Sequence, residues 1–205
     1  MTITRTANAG ALINLDGVSM LFDGVTEYLP PYEATDMAFK DINAVKNLSV
    51  LGFTHEHPDH IDLQFLKEYK KLAVGTVIGP NCENTVKIGQ VTITPVPTRH
   101  IGKSDICHKS FIIKGSKTVF FMGDASPSCL KLFKEVPDVV IAPFAYANTQ
   151  SSLALLKSTG ARLFVILHMP QKDKDEYGLW TAVQSLTKDM KDVIIPQIRQ
   201  QIIWG

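Results

Sequence analysis

The chain has 205 residues, of which 45% are hydrophobic and 20% charged, and this is enough apolar sequence to build one sizeable core. Its 21 basic and 20 acidic residues give a net charge of +1, which argues against nucleic acid or an anionic membrane surface as the main partner. The sequence also lacks a secretion signal, a run of 18 apolar residues and a cysteine-rich motif, so we expect a cytoplasmic protein with one domain over residues 1–205.

The first half of the chain is predicted to be rich in strands, and further short strands are predicted as far as residue 122. Alternating or continuous apolar runs predict these strands at 2–7, 11–14, 18–22, 48–53, 85–88, 91–96, 106–113 and 117–122. One helix interrupts them, because apolar residues recur at helical spacing from Ile61 to Leu72. Ser126 and Pro127 predict the start of another helix, with the serine as its cap and the proline as its first residue.

The last third of the chain is predicted to alternate between strands and helices. Strands are expected at 138–142, 162–167 and near 193–203, and helices at 149–158 and 178–190. Hairpins followed by this alternation indicate a layered α/β domain in which helices cover sheets.

The most informative stretch is Thr54-His55-Glu56-His57-Pro58-Asp59-His60, which follows a predicted buried strand. Imidazole and carboxylate are the ligands that suit zinc, iron and manganese. A motif of this kind arises by chance about once in a few thousand sequences of this composition. Pro58 restricts its own backbone and that of His57, so the loop is stiff before any metal binds. The stretch therefore predicts a metal site.

Three further ligand-type residues each follow an apolar, strand-like run. His100 closes VTITPVPTRH, Asp124 closes KTVFFMGD, and His168 closes RLFVILH. We expect these strand ends to bring their side chains to the same sheet edge as the histidine cluster. The predicted metal-binding residues are then His55, His57, Asp59, His60, His100, Asp124 and His168.

The pattern H-x-H-x-D-H at 55–60, followed by single positions at 100, 124 and 168, resembles the metallo-β-lactamase superfamily in its broad metal-dependent hydrolase form. This resemblance implies a four-layer αββα sandwich and two divalent metal ions, with zinc expected first and manganese or iron as alternatives. It implies that one metal binds His55, His57 and His100. It implies that the other metal binds Asp59, His60 and His168, and that Asp124 bridges the two.

Within the superfamily, the opening ITRTANAGALI and the HMP at 168–170 are similar to the small branch of ascorbate-6-phosphate lactonase-like hydrolases. The chain departs from that branch at Asn8, where the branch often carries histidine, and at Asp23-Gly24, where it often carries Asp-Pro. The resemblance implies attack by a metal-bridging hydroxide on a small ester, lactone or phosphoester, with Asp59 orienting the nucleophile or taking its proton. The alternatives are a nuclease or tRNA-processing phosphodiesterase, and a non-catalytic metal-binding module.

A small-molecule substrate is the expected partner, with no nucleic acid and no membrane, and a homo-oligomer is left open.

We interpret Asp23 as a carboxylate that accepts hydrogen bonds from the THEHPDH loop, the alternative being an ordinary turn aspartate before Gly24. His108 is interpreted as a facing polar residue inside the strand 106–113 rather than as a catalytic acid. Four residues could hold an anionic substrate, although we favour ordinary surface positions for each of them. They are Arg99, Lys103, Lys172 and Tyr177.

Overall fold

The computed structural model describes residues 1–25, 45–72, 75–102, 105–170 and 172–205. In chain order the strands are β1 Thr2–Arg5, β2 Ala11–Leu15, β3 Val18–Phe22, β4 Val50–Gly52, β5 Thr76–Ile78, β6 Val86–Ile88, β7 Val91–Pro97, β8 Lys109–Lys114, β9 Thr118–Phe121, β10 Val139–Pro143, β11 Leu163–Leu167, β12 Val193–Ile194 and β13 Gln201–Ile203. The α-helices are α1 Leu63–Leu72, α2 Gln150–Lys157 and α3 Leu179–Thr187, and short 3-10 helices span Pro127–Leu132, Phe144–Tyr146 and Lys172–Lys174.

The strands form two mixed sheets. The first has the order β13-β1-β2-β3-β4-β5 and is antiparallel from β13 to β3 and parallel from β3 to β5. The second has the order β12-β11-β10-β9-β8-β7-β6 and is parallel from β12 to β9 and antiparallel from β9 to β6. The parallel parts are buried apolar runs, such as LFVIL in β11, as expected for strands covered on both faces.

The two sheets face each other across the main hydrophobic core. Ile13 and Met20 of the first sheet pack in one buried cluster with Phe111 and Ile141 of the second. On the outer face of the first sheet, α1 buries Phe65, Leu66 and Tyr69 in a cluster with Leu21 and Leu51. On the outer face of the second sheet, Leu156 of α2 and Trp180 of α3 pack in a cluster with Val140 and Phe164. The predicted four-layer αββα sandwich is confirmed.

The strand directions explain where the site forms. Strands β1, β3 and β4 run in the same direction within the first sheet, as do β7, β9 and β11 within the second. The loops that follow these strands therefore leave each sheet at one edge. A backbone hydrogen bond of 3.0 Å from Lys109 N–H to Thr54 O joins the two sheets there.

Several predicted elements differ from the structure. The terminal strand expected near 193–203 is wrong: β12 and β13 belong to different sheets, and Pro196, which has no N–H to donate, lies between them. Ser126 precedes a 3-10 helix rather than an α-helix and makes no side-chain cap bond. The three-residue strand β5 was not predicted. The strand expected at 106–113 begins only at Lys109, which leaves His108 outside it.

The helix expected at 178–190 ends at Thr187. Of the helices in the described ranges, none combines the length and the apolar content that a membrane crossing requires.

Candidate metal centre

The structure brings all seven predicted metal-binding residues together at one sheet edge. Each can offer one nitrogen or oxygen, and within each of three groups these atoms lie within 4.8 Å of one another. The groups are His55, His57 and His100; Asp59, His60 and His168; and His55, His60 and Asp124. The first two are the ligand sets that the resemblance implies, and the third places Asp124 beside one member of each.

The THEHPDH loop is held in a compact turn between β4 and α1. The backbone N–H groups of His60 and Ile61 both donate to His57 O, at 2.9 and 3.1 Å, so the chain folds back over Pro58. Asp62 then caps α1, because its carboxylate accepts the backbone N–H of Phe65 at 2.9 Å. This turn directs His55 and His57 to the same point, and their Nε2 and Nδ1 atoms are 2.9 Å apart.

Asp23 lies beneath this loop and accepts three hydrogen bonds from it. The Thr54 backbone N–H and hydroxyl each donate over 2.8 Å, and His60 Nδ1 donates over 2.9 Å. The prediction that Asp23 accepts hydrogen bonds from the loop is therefore confirmed. Asp23 is fully buried and has a φ of 48°, a conformation that non-glycine residues adopt rarely and often at functional sites.

The same contacts determine which nitrogens face the centre. The Thr54 hydroxyl gives its only proton to Asp23, so Thr54 Oγ1 accepts from His55 Nδ1, which lies 3.0 Å away. His60 is bound through Nδ1, and His100 donates from Nδ1 to the backbone oxygen of Ile101 over 2.6 Å. In each of these three histidines Nε2 is the atom left for a ligand, which is the usual pattern of metal-binding histidines.

His168 is held by the loop that follows β1. Its backbone N–H donates to Asn8 O over 2.8 Å, and its Nδ1 lies 3.2 Å from the Asn8 side-chain nitrogen. Its φ of 60° is again in the left-handed region. Asn8, at the position where the lactonase-like branch often has histidine, therefore contacts a predicted ligand instead of adding another imidazole.

Asp124 lies between the two ligand groups. Its Oδ2 is 3.5 Å from His60 Nε2, 3.4 Å from His168 Nε2 and 3.7 Å from His100 Nε2. The atoms His60 Nε2, His100 Nε2 and Asp124 Oδ1 are buried and have no hydrogen-bond partner among the described residues. Buried polar atoms without partners are costly, and a cation coordinated by these atoms would satisfy them. The residues present therefore fit a divalent metal.

Burial and neighbouring charges shift the pKa values of several groups in the centre. Burial lowers the pKa of His60, but Asp124 and Asp23 outweigh that effect and hold its pKa well above the usual value. Burial raises the pKa of the Asp124 carboxyl, but His168 and His60 outweigh that effect and hold its pKa well below the usual range. Burial lowers the pKa of His55, and the charge on His60 lowers it further. In the metal-free centre these shifts favour an ionised Asp124 and a neutral His55, whereas His60 must lose a proton before it can bind a metal.

His108 is the residue whose role the sequence least revealed. It lies inside the strand predicted at 106–113 but just before the observed strand β8. It is buried in the wall of the site, where its Nε2 accepts the backbone N–H of Asp124 over 3.0 Å. Burial lowers its pKa to about 3, against the opposing charge of Asp124. The only signal in the sequence is that His108 is the one histidine of six left out of the predicted site.

The residues considered for an anionic substrate are dispersed. Arg99 and Tyr177 are exposed, and Lys172 lines a separate surface cleft beside Trp180. Lys103 lies outside the described residues.

A different cleft of about 290 Å³ opens directly beside His57. It is lined by Glu56, His57, Pro80, Asn81, Ile106 and Cys107.

No family model and no curated protein matches this sequence. Solved structures do match. A possible metal-dependent hydrolase from Veillonella parvula is 14% identical with a TM-score of 0.70, and the match covers 98% of each chain. Igni18, a metallo hydrolase from Ignicoccus hospitalis, is 17% identical with a TM-score of 0.67, covering 98% of this chain and 97% of its own. YhfI from Bacillus subtilis, a metallo-β-lactamase fold protein, is 17% identical with a TM-score of 0.63. The match covers 98% of this chain and 99% of YhfI. The chain therefore has the metallo-β-lactamase fold.

Proposed function

We propose that this protein is a metal-dependent hydrolase that acts on a small ester, lactone or phosphoester. The observation that carries the proposal is the convergence of seven ligand-type side chains on one edge of the sandwich, with Asp124 between two groups of three. The possible metal-dependent hydrolase from Veillonella parvula and the metallo hydrolase from Ignicoccus hospitalis share the fold along nearly their whole length and support the same class of function.

We assign two divalent ions to the centre. His55, His57 and His100 would hold one ion, Asp59, His60 and His168 the other, and Asp124 would contact both. Zinc is the first expectation, because it favours imidazole and carboxylate ligands, and manganese and iron are alternatives that the same ligands accept.

Ions bound in both groups would lower the pKa of a shared water toward neutrality and polarise the bond to be cleaved. The protein's own contribution is to orient that water and to handle its proton. We assign this role to Asp59, whose side chain is 15% exposed and whose Oδ2 lies 3.1 Å from His168 Nε2. Burial raises the pKa of Asp59, but the hydrogen bond with His168 and the charge of His60 outweigh it and lower the pKa, which keeps the carboxylate ionised.

The cleft beside His57 supports a small substrate. Its volume of about 290 Å³ is at the lower end of the range for small-molecule pockets. The near-zero net charge gives no support to a nuclease or tRNA-processing enzyme, which remains the enzymatic alternative. A metal-binding module without turnover is the other alternative.

Hydrolysis assays with Asp59→Asn test the proposal. The protein would be loaded with zinc, manganese or iron and screened against phosphodiesters, phosphomonoesters, lactones and thioesters at neutral pH. The variant keeps the shape of the side chain and an oxygen ligand but loses its charge and basicity. We expect turnover to fall about 100-fold or more, while metal stays in the group formed by His55, His57 and His100. Wild-type protein that binds metal but hydrolyses none of these probes above the free-metal rate would support the binding-module alternative.

A further inference from the structure

The turn that carries Asp124 is held at both ends by one chain of hydrogen bonds. At one end, the backbone N–H of Asp124 donates to His108 Nε2 over 3.0 Å. At the other end, the Ser110 hydroxyl donates to the backbone oxygen of Met122 over 2.8 Å. Thr98 joins the two, because its Oγ1 lies 2.8 Å from His108 Nδ1 and 3.0 Å from Ser110 Oγ. The chain of bonds therefore closes around the turn from Met122 to Asp124.

The position of every proton in this chain follows from its two ends. A peptide N–H can only donate, and a peptide oxygen can only accept. The one Ser110 hydroxyl proton goes to Met122, so Ser110 Oγ accepts the Thr98 proton, and Thr98 Oγ1 in turn accepts from His108 Nδ1. His108 Nε2 then carries no proton and accepts from Asp124. A single tautomer of the neutral imidazole satisfies all four bonds.

The His108 ring also contacts two of the predicted metal ligands. Its centroid lies 5.1 Å from that of His55 and 5.8 Å from that of His100. The next residue, Lys109, donates its backbone N–H to Thr54 O at the start of the THEHPDH loop. One buried residue thus connects the Asp124 turn with the histidines on the opposite side of the centre.

We propose that His108 is a positioning residue for the metal centre, an inference that rests on the function proposed above. Its imidazole holds the Asp124 peptide in a fixed place relative to the histidine rings, so that the Asp124 carboxylate faces both ligand groups. His108 is not placed to act as a catalytic acid. Both of its nitrogens are engaged by protein groups, and only 3% of its surface is exposed.

Two substitutions separate positioning from packing. His108→Phe keeps an aromatic ring of similar size but leaves the Asp124 N–H without its acceptor. His108→Gln loses the ring but can place its amide oxygen near the position of Nε2 and its amide N–H₂ near Thr98. If His108 acts through its hydrogen bonds, the metal affinity lost in His108→Phe should be restored in His108→Gln. If the ring acts only by packing, His108→Gln should lose more metal affinity than His108→Phe.

Zinc affinity, measured by competition with a chromophoric chelator, is the first readout. We expect it to fall about 10–100-fold in His108→Phe and to recover most of that loss in His108→Gln. The visible absorption spectrum of the cobalt-loaded protein should change in the phenylalanine variant and resemble wild type in the glutamine variant. Wild-type zinc affinity and an unchanged cobalt spectrum in His108→Phe would overturn the proposal, as would a greater loss in the glutamine variant than in the phenylalanine variant.

The proton positions are tested without any metal. A long-range ¹H–¹⁵N NMR spectrum of metal-free wild-type protein should show His108 protonated on Nδ1 alone. A proton on Nε2 would overturn the proposal, because Nε2 could not then accept the Asp124 N–H. Wild-type protein that binds none of the metals would contradict the proposed function, and this NMR result would still decide whether His108 holds Asp124.

Discussion

His60 Nδ1 lies 2.9 Å from Asp23 Oδ2, and both side chains are completely buried. The same carboxylate also accepts both hydrogen bonds that Thr54 can donate. This arrangement leaves His60 Nε2 facing the centre, and the carboxylate should raise the basicity of the ring, as carboxylate partners do for metal-binding histidines.

Asp23→Asn should therefore weaken metal binding. The substitution keeps the shape of the side chain but removes the charge that orients His60, and such losses typically cost about 10–100-fold in metal affinity. Asp138→Asn is a matched control, because the Asp138 carboxylate accepts the backbone N–H of Thr118 at 2.9 Å at the start of β9, at the opposite end of that strand from the centre. Chelator competition on both variants measures the difference, and equal affinities would return Asp23 to an ordinary turn role.

Metal binding should release protons at pH 7. Despite the opposing effect of burial, Asp124 and Asp23 raise the pKa of His60 well above its usual value. We therefore expect its imidazole to carry a proton at neutral pH in the metal-free protein. A metal ion must displace that proton, and metal affinity should therefore fall as the pH is lowered.

Calorimetric titration of zinc in two buffers checks this release. Binding should be more exothermic in the buffer whose protonation releases more heat. Asp23→Asn should release fewer protons, because the His60 pKa is then lower. Identical binding enthalpies in the two buffers would show that His60 is already unprotonated.

Gly123→Ala should disturb both stability and the centre. Gly123 has a φ of 52°, and a Cβ atom added there would lie 2.5 Å from the Thr54 side chain. Gly17→Ala is the matched control, since Gly17 has a φ of 79° but no heavy atom within 4 Å of the added carbon. Backbone strain alone should cost on the order of 1 kcal/mol at either position.

Urea unfolding and metal content separate the cost of backbone strain from the effect of the contact with Thr54. The Gly123 variant should unfold at a lower urea concentration than the Gly17 variant and retain less metal, because Asp124 is displaced. Equal stability and equal metal retention in the two variants would show that the Thr54 contact is unimportant.

Nucleic acid should not be the main partner. Tight binding to RNA or DNA depends on many phosphate contacts and weakens steeply with salt, and a chain with a net charge of +1 offers little general attraction. Binding of labelled tRNA and single-stranded DNA should be weaker than micromolar at physiological salt. Submicromolar binding with a steep salt dependence would favour the phosphodiesterase alternative.

The strands and the site loops were predictable because they depend on local patterns. Buried runs such as those before Asp124 and His168 have a clear apolar signature, and ligand-type residues at their ends stand out against it. The partners of those ligands were less predictable. Asp23 was inferred, but the contacts of Asn8 with His168 and of His108 with Asp124 join residues far apart in the sequence, and no local pattern encodes them.

Contacts between residues far apart in the sequence also explain why the strand predicted near 193–203 was wrong. Pattern alone favoured one strand at 193–203, whereas β12 pairs with β11 and β13 pairs with β1 at the other end of the chain. Tertiary pairing decided between the two sheets, and a short segment interrupted by Pro196 carries too little local preference to show it.

Metal content is the most direct test of the proposed function, because the hydrolysis and the roles of the seven ligand residues depend on it. Protein purified without chelator and then supplied separately with zinc, manganese and iron would be measured by element analysis after removal of unbound ions. We expect up to two ions per chain for at least one metal, with the loss of both in Asp124→Ala. Protein that stays metal-free with all three metals would contradict the proposed function.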